Sequence, residues 1–196
     1  MINFTLLNSE VAESWSFIPV LDFLFCITPI RLVLEFGMGQ GSTPYFLSKG
    51  VELHSVEDDP AWMGQWKQKD NLKHKTWLRP LDKMADLFDT DFKALPYDLI
   101  LVDSKPVSRV NITHKSFQKA RIIVLHDTQR KEPSFGCDNI KIDKAYDFVE
   151  FTFNPAWTKV LSDDKDILER LRYFNTVITE YRKYYKELQN LTWKPL

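Results

Sequence analysis

The chain has 196 residues, a net charge of −1, 44% hydrophobic content and 14% aromatics, which predicts one domain with a full core and excludes a disordered chain. The near-neutral charge gives no strong pull toward nucleic acid or acidic membranes. The two cysteines, Cys26 and Cys137, build neither a metal spacing nor a disulfide framework, so a reducing, cytoplasmic setting is expected. In chain order, Phe17 to Ile30 is apolar but interrupted by Pro19, Asp22 and Pro29. It is too short to span a bilayer and lacks the basic start of a signal peptide, so it reads as a core helix leading into a first strand at Leu32–Glu35. A helix at Thr43–Lys49, a strand at Val51–Val56, a helix from Pro60 to about Gln68 and a strand at Lys75–Leu78 follow. The continuous apolar runs Leu99–Val102 and Ile122–Leu125 predict buried parallel strands. Phe148–Phe153 and Thr158–Leu161, separated by Asn154-Pro155, predict a terminal antiparallel hairpin. Lys165–Leu191 reads as one long helix. Its heptad stripe of Ile167, Leu171, Phe174, Ile178, Tyr181, Tyr185 and Leu188 suits packing along its own domain or a homodimer seam equally. The alternation of strands and helices predicts an α/β domain with a mostly parallel sheet and helices on both faces. The single domain 1–196 divides into N-terminal helices (1–30), a core (31–161) and the C-terminal helix (165–191).

The most informative stretch is Arg31-Leu-Val-Leu-Glu-Phe-Gly-Met-Gly-Gln-Gly-Ser-Thr43. A buried strand runs into Glu35. Gly37, Gly39 and Gly41 follow at alternate positions, and a helix can start at Ser42 or Thr43. Glycine lets a backbone turn sharply and approach a ligand closely, and the new helix directs unpaired N–H groups into the same space. The second strand ends in Glu57-Asp58-Asp59-Pro60, where Asp59 suits an N-cap with Pro at the first helical position. The dinucleotide fingerprint G-x-G-x-x-G has a different spacing. The spacing here, E-x-G-x-G-x-G, resembles motif I of the class I S-adenosylmethionine-dependent methyltransferases. That resemblance spans roughly residues 30–161. It implies a Rossmann-like, seven-stranded, mostly parallel sheet ending in an antiparallel pair. It also implies that S-adenosylmethionine is bound and S-adenosylhomocysteine released. Glu35, Gly37 and Gly39 are then expected at the methionine end, and Gly41, Ser42 and Thr43 at the turn and helix start. Glu57 is expected on the ribose hydroxyls and Asp82 at the adenine edge.

Parallel strands deliver the residues at their carboxyl ends to one pocket. Asp103 follows the fourth strand and His126, Asp127 and Thr128 follow the fifth. Neighbouring strands lie about 4.8 Å apart, so Asp103, His126 and Asp127 can converge. Catechol-type O-methyltransferases look similar, with an acid after strand four and an acid–amide pair after strand five around a magnesium ion. Here His126 stands in place of the second acid and Asp127 in place of the amide, and histidine is a poor magnesium ligand. No metal ligand is therefore assigned, and a metal-dependent enzyme is the alternative. Without metal, His126 or Asp103 is the candidate general base. Arg109, in the basic segment Lys105 to Lys119, and Arg130 are candidate acceptor contacts. The resemblance implies methyl transfer, O- or N-linked, to a small-molecule acceptor. A non-catalytic S-adenosylmethionine-binding scaffold and an aminopropyl transferase are the rivals.

Overall fold

The computed structural model describes residues 17–67, 73–129, 137–153 and 156–192. Seven strands form one sheet: β1 (Leu32–Phe36), β2 (Glu52–Glu57), β3 (His74–Leu78), β4 (Tyr97–Val102), β5 (Ala120–His126), β6 (Asp147–Phe151) and β7 (Thr158–Ser162). Their order across the sheet is β3-β2-β1-β4-β5-β7-β6. All neighbours from β3 to β5 pair parallel, while β7 pairs antiparallel with both β5 and β6. The reversal expected at the end of the chain is therefore carried by β7 alone, inserted between β5 and β6. The helices are α1 (Ile18–Ile27), α2 (Ser42–Lys49), α3 (Pro60–Lys67), α4 (Pro106–Ser116) and α5 (Lys165–Thr192). A 3₁₀ segment, Leu81–Asp89, links β3 to β4. Of the expected N-terminal helices α1 is seen, and residues 1–16 lie outside the described part.

Side chains alternate between the faces of a strand, and the apolar runs of β4 and β5 supply both faces at once. Leu99, Leu101, Ile122 and Val124 pack beneath α1, α2 and α5 through Leu21, Phe46, Leu171 and Phe174. Ile100, Val102, Ile123 and Leu125 pack against the 3₁₀ segment and α4 through Met84, Phe88 and Ile112. Register at the start of β1 is pinned from β4, where Asp98 Oδ2 accepts the N–H groups of Arg31 at 2.7 Å and Leu32 at 3.0 Å. The first four stripe residues of α5, Ile167, Leu171, Phe174 and Ile178, are buried in this domain, with Phe174 stacked on Phe23 at 4.1 Å. That half of the helix packs at home. Tyr181 is half exposed, and the side chains of Tyr185 and Leu188 lie outside the described part. Among the described residues, no helix is long and apolar enough to cross a membrane.

Candidate functional site

The sheet order reverses between β1 and β4, and the glycine turn sits at the carboxyl end of β1. Gly37 has φ +89. Its N–H donates to Val56 O at 2.9 Å, and Asp103 N–H donates to Phe36 O at 2.9 Å, so the turn is wedged between the tips of β2 and β4. A Cβ on Gly37 would lie 2.5 Å from Asp103 O. Gly41 caps α2 with an ordinary φ of −88. A Cβ on Gly39 would meet the Ser42 hydroxyl at 3.1 Å. Positive φ is therefore required at Gly37 only, not across the three-glycine pattern.

Glu35 does not face the ligand space. It is fully buried beneath the turn, where its Oε2 accepts the hydroxyls of Thr43 at 3.0 Å and Ser55 at 2.8 Å. Thr43 Oγ1 in turn accepts Gly39 N–H at 3.1 Å, and Ser55 Oγ meets His74 Nε2 at 3.1 Å. Burial pushes the Glu35 carboxyl up to about 7, against the lowering effect of the nearby Ser42 hydroxyl and of the hydrogen bonds from Ser55 and Thr43. Glu35 and Thr43 thus support the turn from within, and Ser42 is buried beside them. Nothing in the sequence flagged Ser55 or His74, because they belong to neighbouring strands.

Glu57, at the tip of β2, holds the turn from the other side. Oε2 accepts Met38 N–H at 2.9 Å, and Oε1 accepts the N–H groups of Asp58 at 2.8 Å and Asp59 at 3.0 Å. Burial raises its pKa, opposed by those three donors. Asp59 caps α3, accepting from Ala61 and Trp62 through Oδ1. Trp62 Nε1 donates to Met38 O. Together Gly37, Met38, Glu57, Trp62, Asp103 and Lys105 line a cavity of about 270 Å³ at the switch in sheet order. A larger groove of about 620 Å³ lies at the opposite edge of β4 and β5, beside Asp98, Lys119 and Arg121. Ligands of open parallel sheets bind at the carboxyl ends of strands, so the smaller cavity is the candidate site.

Asp103, His126 and Asp127 do converge, with one potential ligand atom from each within 4.8 Å of the others. His126 Nδ1 meets Asp103 Oδ1 at 3.0 Å, and Nε2 lies 4.0 Å from Asp127 Oδ1. The His126 ring is 3% exposed, with Phe17 edge-on at 4.8 Å. Burial works against its charged form, but the Asp103 carboxylate, and after it Asp127, more than offset this and raise its pKa. Asp127 adopts φ +59, a left-handed conformation that turns its carboxylate back toward the cluster. Asp103, at 21%, has the most accessible side chain of the three.

Arg109 is placed differently from its sequence-based expectation. It is 4% exposed and does not reach out for an acceptor. Nε donates to Ser104 O at 2.6 Å and Nη1 donates to His126 O, while Nη2 lies 3.4 Å from Asp103 Oδ1 and 3.8 Å from Asp127 Oδ2. Other basic residues of the segment are also engaged internally: Lys105 with Asp58 and Lys115 with Asp89. Asp82 is exposed in the first turn of the 3₁₀ segment after β3. Arg130 lies outside the described residues.

The sheet order and the reversed β7 make this a Rossmann-like α/β fold of the kind seen in class I S-adenosylmethionine-dependent methyltransferases. Solved structures share it. MycE, a methyltransferase of the mycinamycin biosynthetic pathway solved with Mg, S-adenosylhomocysteine and mycinamycin VI, matches with a TM-score of 0.55 and 18% identity over 76% of this chain and 50% of that one. The S-adenosylhomocysteine-bound methyltransferase PaMTH1 of Podospora anserina matches with a TM-score of 0.54 and 16% identity over 80% of each chain. The putative methylase HI0767 of Haemophilus influenzae has a TM-score of 0.54 and 11% identity over 74% of this chain and 93% of that one. No protein-family model matches the sequence, and no curated protein matches it.

Proposed function

We propose that this chain is an S-adenosylmethionine-dependent methyltransferase acting on an oxygen or nitrogen of a small-molecule acceptor. The observation that carries the reading is the single cavity into which the Gly37 turn, the Glu57 carboxylate and Asp103 all open. The cofactor supplies a sulfonium methyl, already activated for attack by a lone pair. Glu57 is fixed by three backbone donors, and a carboxylate has about four acceptor sites. The one remaining site, on Oε2, is assigned to a ribose hydroxyl. Gly37 and Met38 form the floor. Asp82 stands after β3 for the adenine edge.

Asp103 is the group we assign to the acceptor. His126 Nδ1 and Arg109 Nη2 both meet it at Oδ1. Oδ2 is assigned to the acceptor O–H or N–H, whose lone pair it aligns and whose proton it receives as the methyl transfers. His126, covered by Phe17, orients Asp103 and does not meet the acceptor. Much of the rate then comes from position and exclusion of water. The Lys105–Asp58 ion pair at 2.5 Å joins the tips of β4 and β2 across the end of β1. With Lys105 58% exposed, such a pair is worth about 1 kcal/mol or less and opens easily for a ligand.

Calorimetry with S-adenosylmethionine, S-adenosylhomocysteine and NAD tests the cofactor assignment. Both sulfur ligands are expected to bind more tightly than NAD, and the reverse order would overturn it. Single-turnover transfer from labelled cofactor to candidate acceptors then separates an enzyme from a scaffold. Glu57→Gln is expected to weaken S-adenosylmethionine binding by about 1.5–3 kcal/mol, the size of one charge-assisted hydrogen bond. Gln is preferred to Ala because it keeps one oxygen for the backbone donors, whereas Ala strips the acceptor from all three. Unchanged affinity in a variant with an unchanged melting curve would remove Glu57 from the ribose site.

A further inference from the structure

We infer that Arg109 is the resident cation of this site: its guanidinium takes the place that a divalent metal would occupy among Asp103, Asp127 and His126, and makes the site metal-independent. The inference concerns the site proposed above, but its test reads metal binding and folding, so it can fail while methyl transfer stands, and the reverse.

By donor set alone, the cluster could hold an ion. Its three ligand atoms lie within 4.8 Å of one another, and a cation bridging two of them needs bonds of about 2.0–2.6 Å. The same space already faces a positive charge. Arg109 Nη2 is 3.4 Å from Asp103 Oδ1 and 3.8 Å from Asp127 Oδ2, the two acids a metal would bridge. The guanidinium is not free to withdraw. Nε is tied to Ser104 O and Nη1 to His126 O, the carbonyls at the ends of β4 and β5, and the side chain is 5% exposed. It cannot escape by losing its proton either, since arginine stays charged in proteins. A dication held by these carboxylates would sit within a few ångströms of a fixed positive charge in a water-poor setting, where repulsion is strongest. Arg109 thus performs two tasks usually given to a metal. It joins two strand tips through their carbonyls, and it neutralises two carboxylates that would otherwise repel each other.

Removing the guanidinium should therefore create a metal site. The experiment compares the full-length wild type with Arg109→Ala and Arg109→Lys, using manganese(II) alone as the probe. Binding is read by calorimetry and folding by circular-dichroism melting. The wild type is expected to show no manganese-dependent melting shift. Arg109→Ala is expected to melt lower, to regain part of the loss in manganese, and to bind the ion at least about tenfold more tightly than the wild type. Adding Asp103→Asn to Arg109→Ala should abolish that gain. Arg109→Lys, which keeps the charge, should remain indifferent to manganese. A purely structural arginine would not produce this separation between Ala and Lys. Manganese binding by the wild type that disappears in Asp103→Asn would overturn the inference, as would a folded Arg109→Ala that ignores the metal. If Arg109→Ala is unfolded without metal, refolding in manganese supports the inference and failure to refold counts against it.

Discussion

Gly37→Ala is expected to cost about 3–5 kcal/mol of stability, the range of backbone strain combined with a backbone clash, and to abolish cofactor binding. Two effects act at this position. The φ of +89 is one that alanine rarely adopts. The added Cβ would also lie 2.5 Å from Asp103 O, 2.7 Å from Asp103 C and 2.8 Å from Ser104 N. These are main-chain atoms, so no rotamer change relieves the contact. The only relief is to move the tip of β4 away from β1, which breaks the Asp103 N–H to Phe36 O bond and draws Asp103 from the cavity. Gly50→Ala separates the two effects. Gly50 has φ +69, and a Cβ there would meet nothing within 4 Å, so its substitution should cost only about 1–2 kcal/mol, the left-handed penalty alone. Urea melts of both variants beside the wild type decide the matter. Equal losses would show that the close approach of β4 plays no part.

Glu35→Gln is expected to stabilise the ligand-free protein by about 3 kcal/mol at pH 8 and to have little effect near pH 4. The Glu35 carboxyl is pushed from 4.5 up to about 7 by burial. The native state therefore keeps a proton that the unfolded chain has already released, and stability falls as pH rises between those two values. At about 1.36 kcal/mol per tenfold change in proton affinity, the full move amounts to about 3 kcal/mol. The groups that set it come from several elements: Ser42 and Thr43 on α2, Ser55 on β2 with His74 of β3 behind it, and Asp103 beyond β4, whose charge raises the value further. Gln reproduces the protonated acid, with its oxygen able to accept the Thr43 and Ser55 hydroxyls. His126 acts in the same direction. Its pKa is also raised, so its contribution is complete below the unfolded value and is lost as pH rises through the folded one. Since His126 is present in both proteins, the difference between their pH–stability curves isolates Glu35. Parallel curves across pH 4–8, with no gain for Gln, would mean that Glu35 is not desolvated as described.

Much of the scaffold was legible in contiguous residues. The strand runs, the Gly37 turn, the Asp59 cap before Pro60 and the first half of the α5 stripe depend on spacing within a few positions, where strand and helix periods and capping chemistry act. The runs at β4 and β5 also announced their place, since continuous apolar sequence suits strands covered on both faces. Strand tips then brought Asp103, His126 and Asp127 together, because parallel neighbours in register deliver their ends to one edge.

What each side chain does there was settled only by tertiary structure. Arg109 read as a candidate acceptor contact in a basic segment. Its partners are the carbonyls of Ser104 and His126 and the acids Asp103 and Asp127, and they meet it only because α4 packs where β4 and β5 end. Glu35 read as a ligand contact, but the strand pleat turns it inward to Ser55 and Thr43. His126 read as a candidate general base, and Phe17, more than a hundred residues earlier, lies against its ring. The physical reason is common to all three. A local pattern sets backbone conformation through neighbouring residues, whereas the charge state and reach of a polar group depend on which distant atoms exclude water from it and which offer it hydrogen bonds.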